Sequence, residues 1–462
     1  MHHHKTVLSQ FTTSGHIFRL ALPVIVGQIS KTFVQVVDSI FIGRLGTLQL
    51  GAVALVTTLA WAILTIADGF SVGLTASIAR MTGAKMPGEA GLFFRTGIST
   101  MGILGILIAP VAILLTGSLF SAINMPTDLY GYGSDYMTHY LLFLPSVFLF
   151  SALEASFRGS GDTRTPMLVG LLLNVVNILL DWIMIYGKFG FPALGVRGAA
   201  LATGISFTTG SILLYALSRR RPWGMRIRGP APGRGSSLSL LPPVFSLSHL
   251  GRIVKISLPA SGEQLTMSIS QLILMAIAVN PLGSAHVASF HIVMRLASLS
   301  FMPGFGFAIA AATLSGQNLG SGRPERAGRL VWHSVFYCAL VMAVISVCYF
   351  AFPRALVGLF SPDHALQVLS RLPMRVYALF ALFLAPTMVL GGGLRGAGDT
   401  KFPMIYMMLS RFLVRLPLGW LLSIRMGLGL AGVWVAMCSD FFIRAVLLAI
   451  HTLRGRWKTK II

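Results

Sequence analysis

The carboxylates Asp38, Asp68, Asp181 and Glu263 sit inside long apolar runs of the chain. An ionisable group at a bilayer centre costs about 2.5–3.5 kcal/mol on insertion scales, so each needs a partner or a task. Asn174, Asn177 and Asp181 fall at i, i+3 and i+7 and therefore share one helix face. Gln28, Lys31, Gln35 and Asp38 fall at i, i+3, i+7 and i+10 and make a second stripe. Thr203 follows in the run GAALATGIS. Carboxylate, amide and hydroxyl oxygens are hard donors that suit an alkali cation, which makes Asp38, Asn177 and Asp181 candidate Na+ ligands. The same carboxylates suit a proton, because neighbouring carboxylates resist ionising together. The competing reading has Asp38 and Asp181 capping loops near the outer surface, and the two shared stripes argue against it.

The other charges divide into pairs and singletons. Lys31 lies about 21 Å and Asp68 about 18 Å from the inner ends of the first two apolar segments. Antiparallel neighbours would bring them to one depth, so an intramembrane ion pair is expected. Glu263, in the polar run SGEQLTMSISQ, reads as a second proton site, a substrate contact or a packing residue. Asp440 and Arg444 are spaced i,i+4 and should pair. Arg295, Arg411 and Arg415 are expected to meet backbone carbonyls or snorkel, with an anionic substrate group as the alternative.

The elements that must position these residues are membrane helices. Of 462 residues, 55% are hydrophobic and 11% charged, with mean hydropathy +0.79; soluble domains carry about 25% charged residues. Twelve segments have the roughly 20 apolar residues that span a bilayer: 17–42, 51–79, 91–115, 136–157, 166–187, 197–218, 253–279, 286–314, 329–350, 374–394, 402–424 and 431–452. The first lacks a cleavage pattern and reads as retained. The His2–His4 run reads equally as native sequence or as an added tag.

The chain repeats itself. Arg158-Gly-Ser-Gly-Asp-Thr163 with Pro166 returns as Arg395-Gly-Ala-Gly-Asp-Thr400 with Pro403, and Leu22-Pro23 returns as Leu258-Pro259. Residues 219–252, rich in Pro, Gly, Ser and Arg, read as a basic cytoplasmic linker. The expected architecture is an all-α membrane protein with 12 transmembrane helices in two pseudo-symmetric six-helix lobes, 1–218 and 253–462. Six helices per repeat is an even number, so an axis along the membrane normal relates the lobes.

The excess of 36 Lys and Arg over 13 Asp and Glu reads as basic cytoplasmic loops facing anionic lipid, not as a nucleic-acid surface. With the N-terminus inside, only Arg44, Lys188, Arg197, Arg354, Arg371, Arg375 and Arg425 fall on outer loops. Both termini are therefore expected in the cytoplasm. Cys338, Cys348 and Cys438 form neither a disulfide framework nor a metal spacing. The Gly-rich turns follow no strand and lack Gly-Lys-Ser/Thr, so they are not nucleotide loops. No hydrolase or kinase motif appears, so an enzyme is not expected, and energy must come from an ion gradient or the substrate's own gradient.

Several pieces in order then resemble one family. They are LALPVIVGQ…VVDSIFIGRLG, FRGSGDTRTPM, NILLDWIMIYG, GVRGAALAT, FMPGFGFAIAAATLSGQNLG and GLRGAGDTKFPM. Together they make the chain similar, along essentially its whole length, to the multidrug and toxic compound extrusion (MATE) family with its MATE/MOP-type fold. The resemblance implies two lobes forming a V around a cavity that opens to alternate faces. It implies export of organic cations or amphiphilic drugs in exchange for H+ or Na+, with no cofactor beyond the coupling ion.

In the DinF-like branch the resemblance places the cation site on Asp38, Asn177, Asp181 and Thr203; Gln35 and Asn174, from the helical stripes, are accessory candidates together with Glu263, Lys31 and Asp68. The NorM-like branch has an acid in helix 10, where this chain reads FLAPTMVLGGGLRG. Lys31 and Asp68 depart from the pattern, and a lysine beside the site favours H+ over Na+. A monomer in the inner or plasma membrane is expected, with Pro23, Pro145 and Pro303 as hinges. Two rivals stand: a flippase for lipid-linked saccharides, kept alive by Arg411 and Arg415, and a channel or passive receptor.

Overall fold

The computed structural model describes residues 2–221 and 245–460, with side chains from residue 14 onward. Most of the expected linker, from 222 to 244, lies outside the described residues, as do the His2–His4 side chains. The described chain is helical throughout. Eleven helices are long and apolar enough to cross a membrane, and a bent pair makes up to twelve.

They are numbered α1 (Ser14–Gly43), α2 (Thr47–Gly83), α3 (Pro87–Leu114), α4 (Thr127–Leu142 and Leu144–Ser160), α5 (Arg164–Tyr186), α6 (Val196–Ser218), α7 (Leu247–Leu282), α8 (Ser284–Gly320), α9 (Pro324–Ala351), α10 (His364–Gly396), α11 (Lys401–Arg425) and α12 (Gly429–Leu453).

The fourth span, expected as one helix over 136–157, is bent by 52° at Phe143. Pro145 has no N–H to continue the ladder, so a new helix begins at Leu144. The Phe143 ring fills the elbow. A Cβ on Gly204 of α6 would lie 2.2 Å from that ring, so only glycine fits there. Pro23 and Pro303, the other expected hinges, lie inside continuous helices.

Two compact units divide the chain, one formed by 26–257 and the other by 1–25 together with 258–462. The cuts differ from the expected lobes in one respect. The start of α1 packs with the C-terminal helices, and the start of α7 packs with the N-terminal ones. Small residues make room for both. In the C-terminal unit a Cβ on Gly306 would lie 2.8 Å from the Ala21 carbonyl oxygen, and Phe18 packs edge-on against Phe307. In the N-terminal unit a Cβ on Gly73 would lie 2.6 Å from the Ile253 carbonyl oxygen. Such close backbone approach is the usual basis of helix association in lipid, where apolar burial gives little drive.

The recurring Arg-Gly-x-Gly-Asp-Thr turn does the same work in each unit. Its first glycine, Gly159 or Gly396, lies against a backbone carbonyl, that of Thr75 or of Ala312; a Cβ would come within 2.7 and 2.1 Å. Its second, Gly161 or Gly398, takes the left-handed conformation that closes the preceding helix (φ 89° and 83°). The aspartate then reaches a base at the end of, or beyond, the sixth span of its own repeat. Asp162 accepts from Arg221 and from the Thr165 amide at 3.0 Å. Asp399 accepts from His451 Nε2 at 2.8 Å and Lys460 Nζ at 2.7 Å.

Asp399 lies between two spans. Burial alone would lift its carboxyl, but the hydrogen bonds from His451 and Lys460 outweigh it and hold the group below its ordinary 3.8. A carboxyl whose folded-state pKa is depressed contributes stability above its unfolded value and loses it as pH falls through the folded value. Asp399→Asn should therefore flatten the acid limb of a plot of unfolding temperature against pH below about 4. A variant that follows the wild-type limb would show that the clamp is energetically silent.

Candidate functional site

The α5 stripe is buried as a face. Asn174, Asn177 and Asp181 are 9%, 4% and 1% exposed. Asn174 Nδ2 donates to Ser30 Oγ at 2.6 Å, which ties α5 to α1. About two turns further along each helix, the Asp38 and Asp181 carboxyls come within reach of one another. Neither Asp181 oxygen has a hydrogen-bond partner, and Asp38 Oδ1 and Asn177 Nδ2 are likewise unpartnered and buried.

Three orphaned carboxylate oxygens in one buried place are costly, because each lost partner forfeits its desolvation energy. A proton or a cation between the two carboxyls removes that cost. The donor set fits either, since it offers carboxylate oxygens and the Asn177 amide.

One group was not anticipated. Tyr136 on α4, buried and stacked on Tyr140 with centroids 6.1 Å apart, lies within electrostatic reach of both carboxylates. Thr203, placed there by resemblance, is half-buried on α6 and makes no hydrogen bond to Asp181, whose oxygens are both unpartnered. Gln35 is exposed on α1.

Lys31 does not pair with Asp68. Its partner is Glu154 on α4 at 3.5 Å, and Glu154 also meets Arg158 one turn on at 3.1 Å. Glu154 wins because Arg158 already holds it inward, where α1 passes. Asp68 is exposed on α2 and feels Lys31, Arg158 and Glu154 at longer range. Lys31 is thereby engaged away from the Asp38–Asp181 pair, so it no longer argues for H+ by displacing a cation.

Glu154→Gln should lower the unfolding temperature more than Lys31→Met, because Glu154 carries the ion pairs to both Lys31 and Arg158. Adding Lys31→Met should then recover part of the loss, and Asp68→Asn should matter less than either. Thermal unfolding of the four variants in detergent checks this order, and an Asp68 effect exceeding that of Glu154 would restore the expected pair.

In the C-terminal unit, Glu263 accepts two hydrogen bonds from Arg395 Nη1, both at 3.0 Å. Arg395 is the repeat counterpart of Arg158. In each unit, then, the first helix of the repeat is clasped to the end of its fourth by charge. Asp440 and Arg444 approach to 3.9 Å as expected, and Arg411 shares that carboxylate at 3.8 Å. Arg411 and Arg415 do not snorkel. They are buried and meet Ser270 Oγ at 2.8 Å and Gln271 Oε1 at 2.5 Å on α7. Arg295 is exposed.

Comparison with known proteins gives a consistent result. A family model, MatE, matches residues 23–183 and 259–421, one stretch per repeat. The probable multidrug resistance protein NorM of Thermotoga maritima is 29% identical over 445 residues, covering 96% of this chain and 93% of that protein. The multidrug resistance protein MdtK of Yersinia enterocolitica is 25% identical over 450 residues, covering 96% of this chain and 95% of that protein. An outward-facing structure of a multidrug resistance MATE family transporter of the MOP superfamily superposes with a TM-score of 0.87. It is 23% identical, with 97% of each chain covered, and shares the fold.

Proposed function

This chain belongs to the MatE family, a family of membrane transporters and not of enzymes, and from that premise we propose that it is a secondary antiporter. It exports organic cations or amphiphilic drugs in exchange for H+ or Na+, and the exchange is coupled at Asp38 and Asp181. The observation that carries the coupling role is the set of three buried carboxylate oxygens without partners. The names of the NorM and MdtK relatives support drug export.

The proton is the favoured coupling ion. Two adjacent carboxyls can share one proton with no further ligand, whereas Na+ would need several oxygens of Asp38, Asp181 and Asn177 to converge on it at once. In the cycle, the ion enters from outside and neutralises the pair. The helices that carry it, α1 and α5, then repack, and cargo affinity drops in the outward-facing state. Only a ligand that binds the two states unequally can drive such a shift. Asn174 and Ser30 hold the two helices in register near the pair. The lack of an acid in Leu384–Gly396 supports the DinF-like branch. The basic bias of the loops supports cytoplasmic termini in the plasma or inner membrane.

The test is dye efflux from proteoliposomes under a pH gradient alone, then under a Na+ gradient alone. Efflux with the first and not the second is the expected result. Efflux driven by Na+ alone would move the coupling ion to Na+, and efflux under neither would remove antiport.

A further inference from the structure

Arg411, Arg415 and Arg444 lie in the core of the C-terminal unit, 5%, 2% and 5% exposed. One carboxylate, Asp440, serves all three, and it does so loosely. Its Oδ2 is 3.8 Å from Arg411 Nε and 3.9 Å from Arg444 Nη2 and has no hydrogen bond, while Oδ1 is taken by Ser410 Oγ at 2.5 Å. The Nε–H groups of all three arginines are buried without acceptors. Their remaining contacts are neutral: Ser270, Gln271 and the Met267 carbonyl at 3.4 Å. The next carboxylate, Glu263, is held bidentate by Arg395. Four buried or half-buried guanidiniums thus face two carboxylates. Removing charges from water without a counter-charge is the most expensive arrangement a protein interior can hold.

The local backbone reinforces the cluster. Ser410–Arg415 forms a π-helical turn that aims Arg411 and Arg415 together at α7, and such turns recur at functional sites. On α7 their contacts are Met267, Ser270 and Gln271, within little more than one turn. Met267 and the adjacent Ser268 are exposed, and Gln271 is half-buried, so this turn is a thin wall over the guanidiniums. The planar donor forks match a phosphate or carboxylate, which they bind with two parallel hydrogen bonds.

We propose that this cluster binds the oxyanion head, phosphate or carboxylate, of an exported amphiphile. The inference rests on the transporter reading and widens its cargo from cations to molecules bearing an anionic group. The head displaces Gln271 from Arg415 and Ser270 from Arg411, and the apolar tail stays outside the cluster.

The experiment uses the full-length protein in an uncharged detergent. Binding of dodecyl phosphate, of inorganic phosphate and of dodecyltrimethylammonium is measured by calorimetry, for wild type, Arg411→Gln and Arg411→Lys. Dodecyl phosphate should bind wild type at least about tenfold more tightly than it binds Arg411→Gln, one charge-assisted contact being lost. Arg411→Lys, which keeps the charge but not the fork, should fall between them and serves alone where the glutamine variant does not fold.

Dodecyltrimethylammonium should be unaffected by either change. Inorganic phosphate binding as tightly as dodecyl phosphate would overturn the cargo assignment in favour of a free anion. No phosphate binding, or equal binding by Arg411→Gln or Arg411→Lys and wild type, would overturn the site. Failure of dye antiport with phosphate binding intact would instead sink the coupling reading, so the two ideas fail separately.

Discussion

Asp181→Asn is expected to cripple ion-driven efflux of a cationic dye from proteoliposomes while leaving the protein folded. The reason lies in what the substitution mimics. An asparagine has the shape of a protonated aspartate, so the variant is fixed in the neutralised state of the cycle. The wild-type carboxyl is 1% exposed with both oxygens unpartnered, so its ionised form is the strained one and its neutral form the relaxed one. Folding should therefore improve or stay level, and transport should fall by at least about tenfold, the equivalent of about 1.4 kcal/mol of lost coupling.

Asp38→Asn should be the milder of the two, since Asp38 is half-buried and has one orphaned oxygen. Tyr136→Phe should change the pH at which efflux is half-maximal without abolishing it, because the phenol lies within electrostatic reach of the pair. Efflux by Asp181→Asn at the wild-type rate, under the same gradient, would remove Asp181 from the coupling step whatever the other variants do.

That prediction rests on residues the sequence displays. Helical spacing alone puts Asn174, Asn177 and Asp181 on one face, and the face is buried. Asp38 is reached by the same periodic argument on α1. What periodicity does not carry is which helix faces which. Tyr136 has no spacing relation to Asp38 or Asp181; only the bend at Phe143 and the packing of α4 bring it near them.

Glu154 is different, because its signal is present in the sequence. It precedes Arg158 by one helical turn, the i,i+4 spacing that also marks Asp440 and Arg444. Depth arguments favour Asp68 for Lys31, and depth says nothing about azimuth around a helix. The exchange of the first parts of α1 and α7 between compact units is also silent in the sequence. It depends on backbone contacts at Gly73 and Gly306, which resemble any other glycines in a membrane helix. The repeated Gly-Asp-Thr turn is visible as a repeat, whereas its use as a latch for a distant base is not, since Arg221, His451 and Lys460 occupy no matching motif.

The buried arginines lead to the second large effect, Asp440→Asn. Asp440 is fully buried and is the one carboxylate that faces Arg411, Arg415 and Arg444 together. Neutralising it leaves three guanidiniums to repel one another in a low-dielectric core. Breaking a buried ion pair from one side costs about 3–5 kcal/mol, so the variant should show the largest drop in unfolding temperature of any single charge change here, or fail to fold in detergent. The carboxylate-to-arginine distances of 3.8 and 3.9 Å mean that the loss comes from unmatched positive charge rather than from a broken hydrogen bond.

Two rescues follow from that cause. Adding Arg444→Met should restore most of the stability by removing one charge from the set. Adding dodecyl phosphate should raise the unfolding temperature of Asp440→Asn more than that of wild type, because a ligand that binds only the folded state stabilises it by mass action and the variant offers it a more positive site. If Arg444→Met deepens the loss instead, Asp440 acts through packing with Ser410 and not through charge, and the excess of guanidinium in this core needs another explanation.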